Sequence, residues 1–215
     1  MKTVMKTMAT ALLMLTVAVS VNAQRGKDAP KFHLGLRGGF SLNFASDNSA
    51  DESTDALFFP QGGIAADIKL GTIPLYLETG AYYMNKGYKM DWLYFYDDMF
   101  SGQKTRVFDN HFIGMPLLAS YHIYIGEKFS IQPFAGFVGG YLTKSKDFEG
   151  AVRIGCGISF GRLYANFGYD IGVVNHDVVI REQVPYLGSF VVQGTEKFTN
   201  NSFFMTLGFN FIGKR

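Results

Sequence analysis

Residues 32–44 alternate between large apolar side chains and polar or glycine positions. Every even position except Gly38 is large and apolar, whereas the odd positions hold only His, Gly, Arg, Ser and Asn. Because side chains alternate between the two faces of a β-strand, this segment predicts a strand with one apolar face and one polar or bare face. It is longer than the usual strand of about 5 to 6 residues, and it suits a tilted bilayer-crossing strand, which takes about 9 to 11.

The same period of two returns after each break in the chain and predicts eight strands. We expect them at residues 31–44, 58–70, 74–88, 110–124, 130–143, 150–160 and 162–174, with the eighth ending the chain and including 202–211. The fifth strand carries glycine and aromatic residues on both faces, so its orientation stays unassigned. Pro116 interrupts the fourth strand, and since proline cannot donate a ladder hydrogen bond, we expect a β-bulge near it.

The connections between the predicted strands alternate in length. Tight turns are expected at 71–73, 126–129 and 161–162, and mostly longer connections at 45–57, 89–109, 144–149 and 175–199. Short turns at one rim and longer loops at the other are typical of outer-membrane barrels, in which the short turns are periplasmic. An even strand number places both termini at that periplasmic rim. We therefore predict an all-β fold, an eight-stranded antiparallel transmembrane up-and-down β-barrel.

A secreted β-sandwich and a soluble lipocalin-like barrel show the same alternation. Glycine recurs on the polar face of the predicted strands, for example at Gly35, Gly155 and Gly168. In a sandwich the polar face meets water, so glycine there would be incidental, whereas a narrow eight-stranded barrel has room inside only for side chains that fill it. A lipocalin would place the apolar face inside, and the long connection between strands three and four would be atypical. These points favour the membrane barrel.

The N-terminus has the pattern of a secretory signal peptide. Lys2 and Lys6 precede an apolar run from Ala9 to Val21, which ends in small residues at Ala23. The run is too short for a transmembrane helix, which needs about 20 apolar residues. We expect residues 1–23 to be the signal peptide and 24–215 to be an outer-membrane β-barrel domain.

Removing the signal peptide changes the charge balance. The chain has 20 basic and 18 acidic residues, and loss of Lys2 and Lys6 leaves 18 of each. The mature protein is formally neutral, so its charge gives no argument for binding nucleic acid. The single cysteine, Cys156, cannot form an internal disulfide. The 25 glycines and 16% aromatic residues fit closed antiparallel β-structure.

Several segments together resemble a known family. They are Ala23-Gln24, Leu34-Gly35-Leu36-Arg37-Gly38-Gly39, Ile113-Gly114-Met115-Pro116-Leu117-Leu118, Pro133-Phe134-Ala135-Gly136 and Leu207-Gly208-Phe209-Asn210-Phe211. Through them, nearly all of the mature chain resembles the porin-family outer-membrane β-barrel domain that includes the PorT-like proteins of Gram-negative bacteria. The resemblance implies architecture rather than activity.

The same resemblance implies a location and partners. The location is the cell outer membrane, and the partners are outer-membrane lipid and the barrel-insertion machinery. It also implies that Phe211 is the terminal aromatic residue that this machinery is thought to read. Members often end at that residue, whereas this chain continues through Ile212-Gly213-Lys214-Arg215.

Charged residues recur on the predicted inward face, where a narrow lumen should not leave them unpaired. The turn near Gly161 puts Arg153 opposite about residue 169, next to Asp170. The turn near Thr72 similarly brings the carboxylates of Asp67 and Glu78 together, and the guanidinium of Arg37 is expected at a similar height. We predict that this lumenal charge network staples the barrel rather than lining a gated pathway, because eight-stranded interiors are usually full. Its members are Arg37, Asp67, Glu78, Arg153 and Asp170.

Two long connections are candidates for contact with a partner. The 89–109 segment carries Trp92, Tyr94, Phe95 and Tyr96 among acidic residues, a composition that resembles a contact surface. The same aromatics also fit an interfacial girdle, or a continuation of strands three and four above the membrane. In the 175–199 segment, residues 178–180 and 190–192 are expected to pair as an extracellular hairpin with its turn at 185–188. A partner strand can use the edge of this hairpin.

Candidates for catalysis are weak. Ser120 and His122 share a face but fall near the periplasmic end, and His111 lies near the outer rim, within reach of Asp109, without a suitable serine. The four histidines are scattered, so no metal or cofactor is expected. We predict a monomeric non-enzyme with a structural, adhesive or envelope/secretion-accessory role through its extracellular loops, in contact with an envelope or extracellular protein. The alternatives are a lipid-modifying outer-membrane hydrolase and a narrow small-solute channel.

Overall fold

The computed structural model describes residues 29–47, 54–96, 100–108, 110–125, 127–183 and 190–213, with the side chains of 29–44, 56–87, 110–125, 127–176 and 199–213. The predicted signal peptide, residues 1–23, lies outside this range. No helix in the described part of the chain is long and apolar enough to cross a membrane. The strands are β1 (Phe32–Asp47), β2 (Thr54–Asp55), β3 (Leu57–Lys69), β4 (Leu75–Asn85), β5 (Tyr88–Tyr96), β6 (Phe100–Phe108), β7 (His111–Tyr121), β8 (Ile123–Ile125), β9 (Phe129–Leu142), β10 (Asp147–Phe160), β11 (Leu163–Gly172), β12 (His176–Gln183) and β13 (Phe190–Ile212).

Eight of these strands form a closed wall in the order β1, β3, β4, β7, β9, β10, β11 and β13. Each pairs antiparallel with its neighbours, and β13 pairs back to β1, for example at Gly38 opposite Leu207. This confirms the predicted eight-stranded up-and-down barrel. Tight turns at 71–74, 127–128 and 161–162 lie at one end, the turn rim, together with Pro30 and Gly213 from the two ends of the described chain. The opposite end is the loop rim.

The wall has an apolar outer face and a largely polar inner face, as the alternation predicts. In β13, for instance, Phe203, Met205 and Leu207 are exposed on the outside, whereas Ser202 and Phe204 are buried inside. The unassigned fifth predicted strand corresponds to β9. Its even-numbered residues face inward, because Ser130, Gln132, Phe134, Val138 and Leu142 are all buried.

The expected bulge at Pro116 is wrong. Partners between β4 and β7 run to Glu78 opposite Leu118 and resume at Tyr82 opposite Gly114 in an unchanged register. Because Pro116 has no N–H, the ladder is interrupted there without an extra residue being inserted. A register shift occurs instead between Leu34 and Gly35, where β1 pairs with β13.

Two hairpins continue beyond the loop rim. The segment expected as a connection at 89–109 forms strands β5 and β6, which extend the β4–β7 ribbon after a short break, and β2 pairs with β5. Of the interpretations left open above, the backbone follows the continuation of strands three and four. The predicted second hairpin is also present, with β12 paired to the first half of β13 and a register shift after Ile180. Its expected turn at 185–188 lies outside the described residues.

Glycines of the wall make room for aromatic rings inside the barrel. A Cβ atom added to Gly168 would lie 2.6 Å from Cζ of Phe204, and one added to Gly155 would lie 2.5 Å from Cζ of Phe134. Real Cβ atoms do not approach so closely, so each ring occupies space that only glycine leaves free. At these positions the bare inner face predicted from the sequence is therefore covered by rings from neighbouring strands.

Candidate functional site

The lumen is filled along its middle. Rings and aliphatic side chains from five wall strands form one buried cluster there, and buried charged side chains lie beside it, for example Arg153 over the ring of Phe204. The interior of an eight-stranded barrel is just wide enough to be filled by side chains in this way. The larger members of the cluster are Tyr82, Met84, Phe112, Leu118, Phe134, Val138, Leu142 and Phe204.

At the turn rim, a chain of hydroxyl and imidazole groups closes the barrel beneath the N-terminal segment. The hydroxyl of Tyr76 donates to the carbonyl of Pro30 at 2.8 Å and lies 2.9 Å from the hydroxyl of Tyr124. The ring of His122 stacks on that of Tyr76 with centroids 3.9 Å apart. This chain ties Pro30 to the inner wall, and it leaves a recess of only about 20 Å³, room for one water molecule.

The serine and histidine considered for catalysis do meet in this chain. Nε2 of His122 lies 2.9 Å from Oγ of Ser120, but Nδ1 faces the hydroxyl of Tyr124 at 3.5 Å rather than a carboxylate. Ser120 is 1% exposed, which shields its hydroxyl from any substrate. The second candidate, His111, bonds through Nδ1 to the hydroxyl of Tyr83 at 2.7 Å on the outer face. Its expected partner Asp109 lies outside the described residues.

Arg37 lies between the turn rim and the middle of the lumen. Its Nη2 is 3.5 Å from Oδ2 of Asp67, and its guanidinium lies 3.4 Å from the ring centroid of Tyr164. Glu78 is directly opposite Asp67 in the β3–β4 register. The structure thus brings together the three charged residues that the turn near Thr72 predicts, with the cation beside one of the two carboxylates.

The second predicted pair has better geometry. Nε and Nη2 of Arg153 donate to the two carboxylate oxygens of Asp170 at 2.6 and 2.8 Å, which is a bidentate contact between residues directly opposite each other. The Arg153 guanidinium also lies 4.1 Å from the ring centroid of Phe204. Lys86 joins the same carboxylate, with Nζ 3.4 Å from Oδ2 of Asp170 and 3.2 Å from Oγ of Ser202.

A third charged group lies closest to the loop rim. Oε2 of Glu149 accepts hydrogen bonds from Nδ2 of Asn200 at 2.7 Å and pairs with Nε2 of His176 at 2.8 Å. Glu149 is 1% exposed. With this group, the buried charges of the described lumen comprise Arg37, Lys86 and Arg153 against Asp67, Glu78, Glu149 and Asp170.

Sequence reasoning missed Lys86, Glu149 and His176. Lys86 shares the even parity of the inward residues of β4, and Glu149 the odd parity of Arg153, so the period of two contains a signal for both. Glu149 falls just outside the predicted strand at 150–160, whereas Lys86 lies inside the predicted strand at 74–88 and was not assigned to the charge network. His176 follows a link at the end of β11, where no alternation extends.

The remaining predicted residues divide into two groups. Phe211 lies on the outer face of β13 at the turn rim and is 44% exposed. Trp92, Tyr94, Phe95 and Tyr96 belong to strand β5, but their side chains lie outside the described ones. Among the residues that the structure describes, no group of three or more His, Cys, Asp or Glu is placed to hold a metal ion.

No family model and no curated protein sequence matches the chain. Three solved structures that resemble it are Neisserial surface protein A (13% identity, TM-score 0.40, 83% of this chain and 97% of that chain), the attachment invasion locus protein Ail of Yersinia pestis (9%, 0.33, 84% and 99%) and the translocator domain of the autotransporter NalP from Neisseria meningitidis (8%, 0.27, 96% and 98%). These TM-scores are too low to carry an argument. The architecture rests on this chain's own strand pairing, and the PorT-like resemblance stays a prediction.

Proposed function

We propose that the chain is an integral outer-membrane protein without catalytic activity, whose barrel anchors two projecting hairpins that act as an adhesive or envelope-accessory contact surface. The observation that carries the membrane assignment is the outer face of the wall. Between the two rims, the outward positions of the eight described wall strands hold no Asp, Glu, Lys, Arg or His. Exposed apolar area on this scale exceeds what a water-soluble monomer presents.

The height of this apolar belt fits a bilayer. In β1, outward apolar side chains run from Phe32 to Leu42. At about 3.3 Å per residue this is roughly 33 Å along the strand, and a tilt of about 40° reduces it to about 25 Å along the barrel axis. Outer-membrane barrels have an apolar band of about 25 Å. Phe32 at one end of this run and Phe44, two residues beyond its other end, also suit the two membrane interfaces.

The proposed orientation follows from the connection lengths, and the proposed partners follow from that orientation and from the family resemblance. Short turns are periplasmic in such barrels, so the turn rim and both termini face the periplasm and the hairpins face outward. Outer-membrane lipid covers the belt. The barrel-insertion machinery is the expected periplasmic partner, with Phe211 as the residue it reads, and an envelope or extracellular protein is the expected partner of the hairpins.

The filled lumen favours a structural role for the barrel over the channel alternative. Ion pairs and rings from facing strands occupy the interior, which stiffens the wall instead of leaving a passage. The hairpins are then the part of the described chain that extends furthest from the belt. Their unpaired strand edges offer main-chain donors and acceptors to a partner strand.

Arginine substitution on the outer face tests the membrane assignment. Leu207 in the middle of the belt and Leu163 beside the turn rim are 62% and 60% exposed. In a bilayer, Leu207→Arg should lower the free energy of unfolding by about 2 to 4 kcal/mol and Leu163→Arg by no more than about 1 kcal/mol. Urea titration of protein folded in lipid vesicles, followed by heat-modifiable gel migration, measures both. Equal and small losses would contradict membrane insertion.

Shortening the β5–β6 hairpin tests the contact role. Replacing residues 90–106 by a tight turn should leave insertion and heat-modifiable migration unchanged, because this hairpin pairs outside the wall. Cells that display the shortened protein should lose sedimentation by cell–cell aggregation or resistance to detergent relative to cells with the full chain. Retention of both properties would argue against a contact role for this hairpin.

A further inference from the structure

We infer that Lys86 and His176 are positioning residues that fix the direction of the two projecting hairpins by anchoring their bases in the barrel lumen. The inference rests on the proposed function only in giving the hairpins a partner. The anchoring itself is a property of the fold. Each residue lies at the joint where a hairpin leaves the wall, and each places its side chain against a buried carboxylate.

The first joint lies between β4 and β5. Strand β4 ends at Asn85 and β5 begins at Tyr88, and both Lys86 and Gly87 between them are buried. The ribbon pairing breaks here, and the Lys86 N–H donates to the carbonyl of Asn110 at 2.8 Å across the break. The amide of Asn43 also donates to the carbonyl of Asn85 at 2.5 Å. These contacts tie the joint to Asn110 beside β7 and to Asn43 of β1.

The side chain of Lys86 crosses the lumen to the opposite wall. In the closed order of eight strands, β4 is third and β11 is seventh, so they face each other across the barrel. Nζ of Lys86 reaches Asp170 on β11 and Ser202 on β13. Asp170 is already held in place by both contacts from Arg153, so the lysine meets a fixed acceptor. A hairpin base tied to two opposite walls has little freedom to tilt.

The second joint lies between β11 and β12. Strand β11 ends at Gly172, and β12 begins with His176, whose ring lies against Glu149 on β10. The link between them is held by the Val173 N–H, which donates to the carbonyl of Gly150 at 2.9 Å, and Asn200 shares the Glu149 oxygen. His176 therefore connects the start of the hairpin to a strand other than its ladder partner β13.

The reason to expect a positioning role is the length of the hairpins. Beyond the wall each hairpin consists chiefly of two paired strands, and a two-stranded ribbon is only marginally stable by itself. Strand β5 has nine residues, about 30 Å at 3.3 Å per residue, so a tilt of about 20° at its base moves its tip by about 10 Å. Contacts at the joints thus control where the exposed surface points.

Hydrogen–deuterium exchange of the protein in lipid nanodiscs tests this inference. Lys86→Met should speed amide exchange in peptides from β5 and β6 about tenfold or more, the loss expected for a charged hydrogen bond that restrains local opening. Exchange in β12 should stay unchanged. His176→Ala should give the reverse pattern, fast exchange in β12 and the first half of β13 and unchanged exchange in β5 and β6.

Matched variants lose the same side chains without touching a joint. Lys128→Met removes an exposed lysine at the turn rim, and His33→Ala removes a histidine that also faces a buried carboxylate, that of Asp67, but lies at the turn rim. Neither should speed exchange in either hairpin. If Lys86→Met does not insert, Ser202→Ala removes one acceptor of the lysine without changing any charge, and it should loosen β5 and β6 more weakly. The inference would be overturned if both hairpins exchanged at the wild-type rate in His176→Ala and in the Lys86→Met variant, or in Ser202→Ala where Lys86→Met does not insert. It would also be overturned if the matched variants sped amide exchange in the hairpins as much.

Aggregation of cells that display each variant separates the inference from the function it serves. Loosened hairpins with lost aggregation support both. Loosened hairpins with normal aggregation, together with a shortened β5–β6 hairpin that also aggregates normally, support the anchors and refute the contact role. Rigid hairpins in Lys86→Met with lost aggregation refute the anchors and leave the contact role supported.

Discussion

Asp170 is the acceptor that two buried lumenal cations, Arg153 and Lys86, share, so Asp170→Asn should be among the most destabilising single changes in the barrel. The carboxylate receives two hydrogen bonds from Arg153 at 2.6 and 2.8 Å, and lies 3.4 Å from Nζ of Lys86 and 3.3 Å from Oγ of Ser202. Asparagine has nearly the same shape but turns one oxygen into an N–H donor. That donor would face Lys86 or one of the Arg153 nitrogens, all of which are donors themselves.

The magnitude follows from burial. Removing one partner of a buried ion pair costs about 3 to 5 kcal/mol, because the other charge is left uncompensated. Asp170 is fully buried and compensates two cations, so we expect the upper half of that range. Lys86→Met alone should cost less, since its 3.4 Å contact is long and its removal leaves the Arg153 pair intact.

Urea titration in lipid vesicles, with the folded fraction measured by heat-modifiable migration, provides the free energies of unfolding. Combining Asp170→Asn with Lys86→Met should cost less than the sum of the single changes by at least about 0.5 kcal/mol, because the double variant no longer leaves Lys86 unpaired. A loss below about 1 kcal/mol for Asp170→Asn would refute the view that this carboxylate compensates buried charge.

The remaining predictions concern packing, closure and conduction. Gly168→Ala should lower the free energy of unfolding by about 1 to 3 kcal/mol, since its Cβ would lie 2.6 Å from Cζ of Phe204. Adding Phe204→Leu should recover part of this loss. Gly38→Ala should be neutral, because the nearest atom would lie 4.0 Å from its added Cβ. Tyr76→Phe should cost about 1 kcal/mol and speed amide exchange near Pro30, because it removes the hydroxyl that holds this segment; unchanged exchange would contradict that role. Planar bilayers that contain the protein should show no steady conductance, since rings fill the lumen. Regular ion-conducting openings would favour the channel alternative.

The period of two was sufficient to predict the wall strands and their faces. Every outward residue of the opening strand, from Phe32 to Leu42, follows the parity read from the sequence. The ion pair of Arg153 with Asp170 could also be predicted from the sequence, because a two-residue turn fixes which residues face each other across a hairpin. The alternation did not predict which face of β9 points inward, because glycine and aromatic residues occur on both faces. Only the burial of Gln132 and its neighbours in the structure assigns the orientation of that strand.

By itself, the sequence determined the barrel, its strand number and which face is apolar, because alternation and turn length are local properties of the chain. Only the tertiary structure decided which residues meet across the lumen. Lys86 and Asp170 are 84 residues apart and lie on opposite walls, and their contact depends on closure of the sheet, which no local pattern encodes. The same closure covers the bare glycines with rings from neighbouring strands and places His176 against Glu149. The outer face therefore follows from one strand at a time, whereas the contents of the lumen follow from all eight together.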